Sequence, residues 1–74
     1  MTVVVYSTQK CGQCKMTYKD LERHNVNYEV VDVSDDEDMM NRLREMGFKQ
    51  FPVVMAGDQS WNGFRPDKIK ALAA

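Results

Sequence analysis

A chain of 74 residues and 8.6 kDa makes one domain, residues 1–74. A domain of that size buries only about 60% of the surface its unfolded chain exposes, too little to enclose a large cofactor and keep a core. Its 43% hydrophobic and 28% charged residues rule against disordered and fibrous classes, and a formal net charge of -1 argues against nucleic acid as the main partner. No unbroken apolar run, Val3-Val4-Val5-Tyr6 included, is long enough to span a membrane. No charged n-region and no cleavage site follow Met1, so the chain is expected to be cytoplasmic.

Residues 2–6 are β-branched and aromatic, and their near-continuous apolarity predicts a strand covered on both faces. A polar loop, Ser7 to Lys10, follows. Over residues 12–24 the period turns helical, with Cys14, Tyr18 and Leu21 at i, i+4 and i+7, and Asn25 to Asn27 stop it. Residues 28–33 form a second β-rich run. A helix between two strands makes a βαβ unit, hence a parallel pair. Ser34 or Asp35 is placed to cap the next helix, with Asp36, Glu37 and Asp38 in its first turn, where the helix dipole favours negative charge. Met40, Leu43 and Met46 form its apolar stripe, and Gly47 ends it. Val53-Val54-Met55-Ala56 and Gln59-Ser60-Trp61 flank a Gly57-Asp58 turn, an antiparallel hairpin. Pro66 suits the first position of a last helix with Ile69 and Leu72 inward, and Arg65 before it is a poor cap. The order is β-α-β-α-β-β-α, an α/β fold with a four-stranded mixed sheet and helices on both faces. Charge along it is uneven: residues 25–47 net -5, whereas residues 1–24 and 48–74 each net +2. A solvated helical face accounts for the acidic stretch.

The two cysteines, Cys11 and Cys14, are spaced C-x-x-C. A disulfide closing so short a loop removes little entropy from the unfolded chain, so a purely structural bond is a poor account of it. In a cytosolic chain such a pair is more often catalytic or metal-binding. At the start of a helix the two thiols differ. Cys11 sees the positive end of the dipole and free N–H groups, with Lys10 adjacent, and each favours thiolate. Cys14 lies on the apolar stripe, where desolvation disfavours charge. Cys11 is therefore the expected nucleophile and Cys14 the resolving thiol, exchanging disulfides through a mixed disulfide on Cys11.

Other readings stand beside this one. A structural zinc site needs four ligands, and beyond the pair the chain has one histidine, His24, which suits an exposed helix end. Small soft-metal carriers also place C-x-x-C after a first strand. They resemble β-α-β-β-α-β with Met two residues before the first Cys, where this chain has Gln9, and this chain ends in a helical pattern. Pro52 is either a proline at the first residue of a strand or a cis proline whose loop packs beside the cysteines and leaves backbone groups for an extended substrate.

Cys11-Gly12-Gln13-Cys14, Gly47-Phe48-Lys49-Gln50-Phe51-Pro52-Val53-Val54 and Trp61-Asn62-Gly63-Phe64-Arg65-Pro66-Asp67 together resemble the NrdH-redoxins, glutaredoxin-like proteins with a minimal thioredoxin fold. The resemblance covers nearly the whole chain. It implies a dithiol–disulfide oxidoreductase that donates electrons to class Ib ribonucleotide reductase, acts as a monomer, and is re-reduced by thioredoxin reductase. No metal or other cofactor is bound, and NADPH is used only through that reductase. It also implies that Cys11 and Cys14 are the redox pair and that Pro52 is cis. Phe51 then belongs to a partner-binding groove whose other side is Trp61, Gly63, Phe64 and Arg65, and Thr8, Lys10 and Gln13 around the cysteines complete the partner-binding set. Glutaredoxins usually carry C-P-Y-C and a Gly-Gly turn followed by acids that hold the glutathione ammonium. Here Arg65 and Pro66 stand where those acids would be, so weak glutathione binding is expected. A glutathione-dependent glutaredoxin is the alternative within the same chemistry, and a metal or cluster carrier the alternative outside it.

Overall fold

The first apolar run folds as β1 (Val3–Ser7), followed by α1 (Gly12–Arg23), β2 (Glu29–Asp32), α2 (Glu37–Glu45), β3 (Val53–Ala56), β4 (Gln59–Asn62) and α3 (Pro66–Ala73). This computed structural model describes residues 2–73. The sheet order is β2-β1-β3-β4. β2 lies parallel to β1, with Val30 opposite Val5, as the helical crossover between them requires. β3 is antiparallel to β1, with Val54 opposite Val5, and β4 is antiparallel to β3, with Trp61 opposite Val54.

Side-chain alternation sorts these residues between two layers. Val3, Val5, Val54, Ala56 and Trp61 point to one face, where Leu21 of α1 and Ile69 of α3 close the core. α2 covers the other face, with Leu43 2% and Val53 1% exposed. The expectation that the first strand is covered on both faces is corrected. Val3, Val5 and Ser7 are buried, but Val4 and Tyr6 only partly so. A nine-residue helix with one fully buried side chain, Leu43, is too small a lid for that face. On β2, at the edge of the sheet, Val30 is 48% and Val31 39% exposed, one on each face.

The ends of the elements follow local chemistry. Gly47 takes φ +97 after α2, and its N–H reaches the Arg44 carbonyl at 2.9 Å, the left-handed stop expected of it. The cap of α2 is Asp36, one residue after Asp35 and two after Ser34. Asp36 Oδ1 accepts the Met39 N–H at 3.0 Å, while Ser34 is used elsewhere. Asp36→Ala should therefore cost about 1 kcal/mol. Thermal denaturation should show a melting point lowered by roughly 4–8 °C, whereas Asp35→Ala, at an exposed residue without a cap role, should change stability by at most about 0.5 kcal/mol, roughly half that shift or less. At the far end of α1, Tyr18 and Tyr28 stack with ring centroids 5.6 Å apart, and the Tyr28 hydroxyl donates to Glu22. Burial, helped by the Glu22 carboxylate, pushes that hydroxyl up to about 12. No helix among the described residues is long and apolar enough to cross a membrane.

Candidate functional site

β1 delivers the chain to the cysteines through a loop that is held from the side. The Gln9 N–H donates to Ser34 Oγ at 2.9 Å, and the Ser34 N–H donates to Asp32 Oδ1 at 2.8 Å. The hydrogen bonds from Ser34 hold the Asp32 carboxyl below the usual carboxylate range. Lys10 then takes φ +57, a left-handed conformation uncommon outside glycine, and turns the backbone into α1. Cys11 is the N-cap of that helix: its φ and ψ are extended (-102 and 103), and its Sγ accepts the Cys14 N–H at 3.1 Å. Cys11 and Cys14 are joined as a disulfide with Cα atoms 5.2 Å apart, inside the range such a bond requires. Their environments differ as the helix pattern implies. Cys11 is half-buried, whereas Cys14 is 2% exposed. One turn further on, the fully buried Thr17 hydroxyl donates to the Gln13 carbonyl at 2.8 Å and needs no other partner.

Three segments distant in sequence are tied together beside this pair. The Phe51-Pro52 peptide is cis, and Pro52 is buried. The Pro52 carbonyl accepts the Gly63 N–H at 2.8 Å, and the next N–H, that of Phe64, donates to Gln13 Oε1 at 3.0 Å. Gln13 lies between the cysteines, so its side chain clips the segment after β4 to the start of α1. Gly63 has φ +79, and a Cβ there would stand 3.2 Å from Gln13 Oε1 and 3.3 Å from Gln50 Oε1. Asn62, with its amide oxygen turned to the loop before Pro52, accepts the Gln50 and Lys49 N–H groups at 3.1 and 3.2 Å.

The residues singled out in the sequence occupy different places in this arrangement. Gln13, Pro52, Gly63 and Phe64 are brought together by the bonds just described. Thr8 is half-buried and Lys10 exposed in the loop before Cys11, and Phe51 is half-buried before the cis bond. Trp61 is a core residue, 4% exposed and packed with Val54 and Ile69, so its ring is not on an open groove wall. Arg65 is exposed and turned toward α3, where Nε and an Nη reach the two oxygens of Asp67 at 3.1 and 2.9 Å. That guanidinium holds the Asp67 carboxyl below the usual range. His24 departs from expectation: instead of an exposed helix end, its ring is 27% exposed, with Nδ1 2.9 Å from the Asp20 carbonyl. Asn62, Gln50, Ser34 and Thr17 were not anticipated. Asn and Gln near a turn are compatible with simple solvation, and only the long-range pairing reveals their part. Among the described residues, no three His, Cys, Asp or Glu side chains converge as a metal site.

A redox-active cysteine pair at the first turn of a helix, carried by this seven-element sheet order, defines a thiol–disulfide oxidoreductase of thioredoxin fold. Comparison with known proteins agrees. The glutaredoxin family model matches residues 3–61. The glutaredoxin-like protein NrdH of Salmonella typhimurium is 44% identical over 72 residues, 97% of this chain and 89% of that one. Its counterpart in Lactococcus lactis subsp. lactis is 35% identical over 71 residues, 96% of this chain and 99% of that one. Among solved structures, the NrdH-redoxin of Escherichia coli superposes with a TM-score of 0.92 at 40% identity, covering 97% of this chain and 95% of that one. The chain belongs to the glutaredoxin family and, within it, to the NrdH-redoxins.

Proposed function

We propose that this redoxin is a cytoplasmic monomer that carries two electrons from thioredoxin reductase to the disulfide of a class Ib ribonucleotide reductase. In the reduced protein the Cys11 thiolate, favoured by the free N–H groups of α1, attacks one sulfur of the partner disulfide. A Cys11–partner disulfide forms and the partner's other sulfur leaves as thiolate. The Cys14 sulfur then attacks Cys11 Sγ, releasing the partner's second thiol and forming the Cys11–Cys14 disulfide. Two electrons and two protons pass to the partner. A flavoprotein reductase returns them from NADPH.

The choice of thioredoxin reductase over glutathione rests on Arg65 and Asp67. The first carboxylate after Gly63 is Asp67, and the Arg65 guanidinium engages both its oxygens. No free acid is left there to receive the ammonium of glutathione. The similar NrdH-redoxin of Escherichia coli has a thioredoxin-like activity profile, which supports the same reading. The test is NADPH consumption with a disulfide substrate, using thioredoxin reductase in one cuvette and glutathione with glutathione reductase in the other. Turnover is expected only in the first, and calorimetry should find no micromolar glutathione affinity. Turnover only in the second would make the chain a glutathione-dependent glutaredoxin.

A further inference from the structure

A second surface feature begins where the cysteine site ends. Met16, Lys19, Asp20 and Arg23 of α1 face Phe64 and Pro66 across a groove of about 420 Å3. Met16 is 50% exposed, a flexible apolar side chain of the kind that adapts to varied partners. Around it the exposed charge is mainly positive. Lys15, Lys19 and Arg23 recur at i, i+4 and i+8, which sets them along one side of the helix, and all three are exposed. Of the acids of α1, Asp20 pairs with Arg23 and offsets part of its charge, so Lys15 and Lys19 carry most of the surface charge here. Asp20 is buried, its side chain 7% exposed, with Arg23 and His24 at 3.6 and 3.8 Å, and Glu22 accepts the Tyr28 hydroxyl. Phe64 belongs to both regions: its N–H is held by Gln13 between the cysteines, and it lines the groove.

We propose that this groove docks the redoxin's protein partner through a segment carrying an apolar side chain flanked by carboxylates. The apolar side chain packs on Met16, Phe64 and Pro66, and the carboxylates meet Lys15, Lys19 and Arg23. From Cys14 to Arg23 the helix rises roughly 13 Å, so an extended segment of about four residues reaches along it while a disulfide beside it meets Cys11. The acidic residues 35–38, which follow the loop flanking the other side of Cys11, repel such a segment and set its direction. The inference rests on the proposed reading in one respect, that the electrons go to a protein.

Two synthetic peptides test it. Both contain the same intramolecular disulfide and a leucine. One flanks them with Glu and Asp, the other with Gln and Asn. The redoxin is reduced beforehand with dithiothreitol and desalted, so no reductase enters, and rates from rapid-quench chromatography are divided by each protein's own rate with hydroxyethyl disulfide. The acidic peptide should react about fivefold to tenfold faster than the neutral one at low salt. That ratio should fall toward one at about 0.5 M salt, because exposed charges are screened. Lys19→Glu should remove or invert the preference. Equal rates for the two peptides, or a preference that Lys19→Glu leaves intact, would overturn the proposal. So would a salt-sensitive dimer in sedimentation velocity that Lys19→Glu abolishes, since the groove would then belong to a second copy. Failure of the thioredoxin reductase assay alone leaves this result readable.

Discussion

Cys11→Ser should lose disulfide reduction by on the order of a thousandfold or more, the scale expected when a covalent nucleophile is removed. Cys14→Ser should behave differently. It should still attack the partner once and then stall as a Cys11–partner mixed disulfide, visible by mass spectrometry and released by dithiothreitol. The asymmetry follows from position. Cys11 is the half-buried cap of α1, with the Cys14 N–H 3.1 Å from its sulfur, so a thiolate there is both reachable and stabilised. Cys14 is 2% exposed and inside the first turn, where a bulky disulfide partner has no access. Its sulfur lies within bonding reach of Cys11 alone, which is what a resolving thiol requires. Trapped adduct on Cys14 in the Cys11→Ser protein, with none on Cys11 in the Cys14→Ser protein, would reverse the roles.

That difference between the thiols was legible in the sequence, because it depends only on where a helix begins. The same holds for the element order: the first β-rich run, the i, i+4, i+7 stripe of Cys14, Tyr18 and Leu21, and the Gly47 stop are local signals with local causes. What stayed hidden is what depends on distance or competition. Asp36 caps α2 because Ser34, an equally good capping residue, is drawn to the Gln9 N–H 25 residues away. Thr17 and Asp20 are buried on a helix face that hydropathy marks as polar. Thr17 is tolerated because its hydroxyl bonds the helix's own carbonyl at Gln13. Trp61 and Phe64 stand three residues apart, yet Trp61 is inside the core and Phe64 is half-buried at its margin, a difference that hydropathy does not show. The Gln13–Phe64 bond spans 51 residues, and no periodicity announces it. The motif around the cysteines and the motif after β4 could each be read, but not the link between them.

That link makes Gly63 the position where one side chain should disturb most. Gly63 is buried at φ +79, and its N–H is committed to the Pro52 carbonyl. A left-handed conformation costs an L-residue roughly 1–2 kcal/mol, and more when the side chain is β-branched. The Cβ would also press on two amide oxygens, those of Gln13 and Gln50, at 3.2 and 3.3 Å. Gly63→Val should therefore destabilise the fold by about 2–3 kcal/mol, lowering the melting point by roughly 10–20 °C in a domain of this size. Gly63→Ala keeps the protein folded and isolates the effect on the site. Displacing Gln13 frees the Phe64 N–H and shifts the segment proposed to face the partner, so KM for a protein disulfide should rise while hydroxyethyl disulfide reduction changes little. A double-mutant cycle separates the two causes. In a Gln13→Ala background the crowding at that oxygen is gone, and the backbone cost and the contact with Gln50 remain, so Gly63→Ala should then cost measurably less. An unchanged cost in both backgrounds would mean that the two residues are not coupled, and that Gln13 does not hold the segment in place.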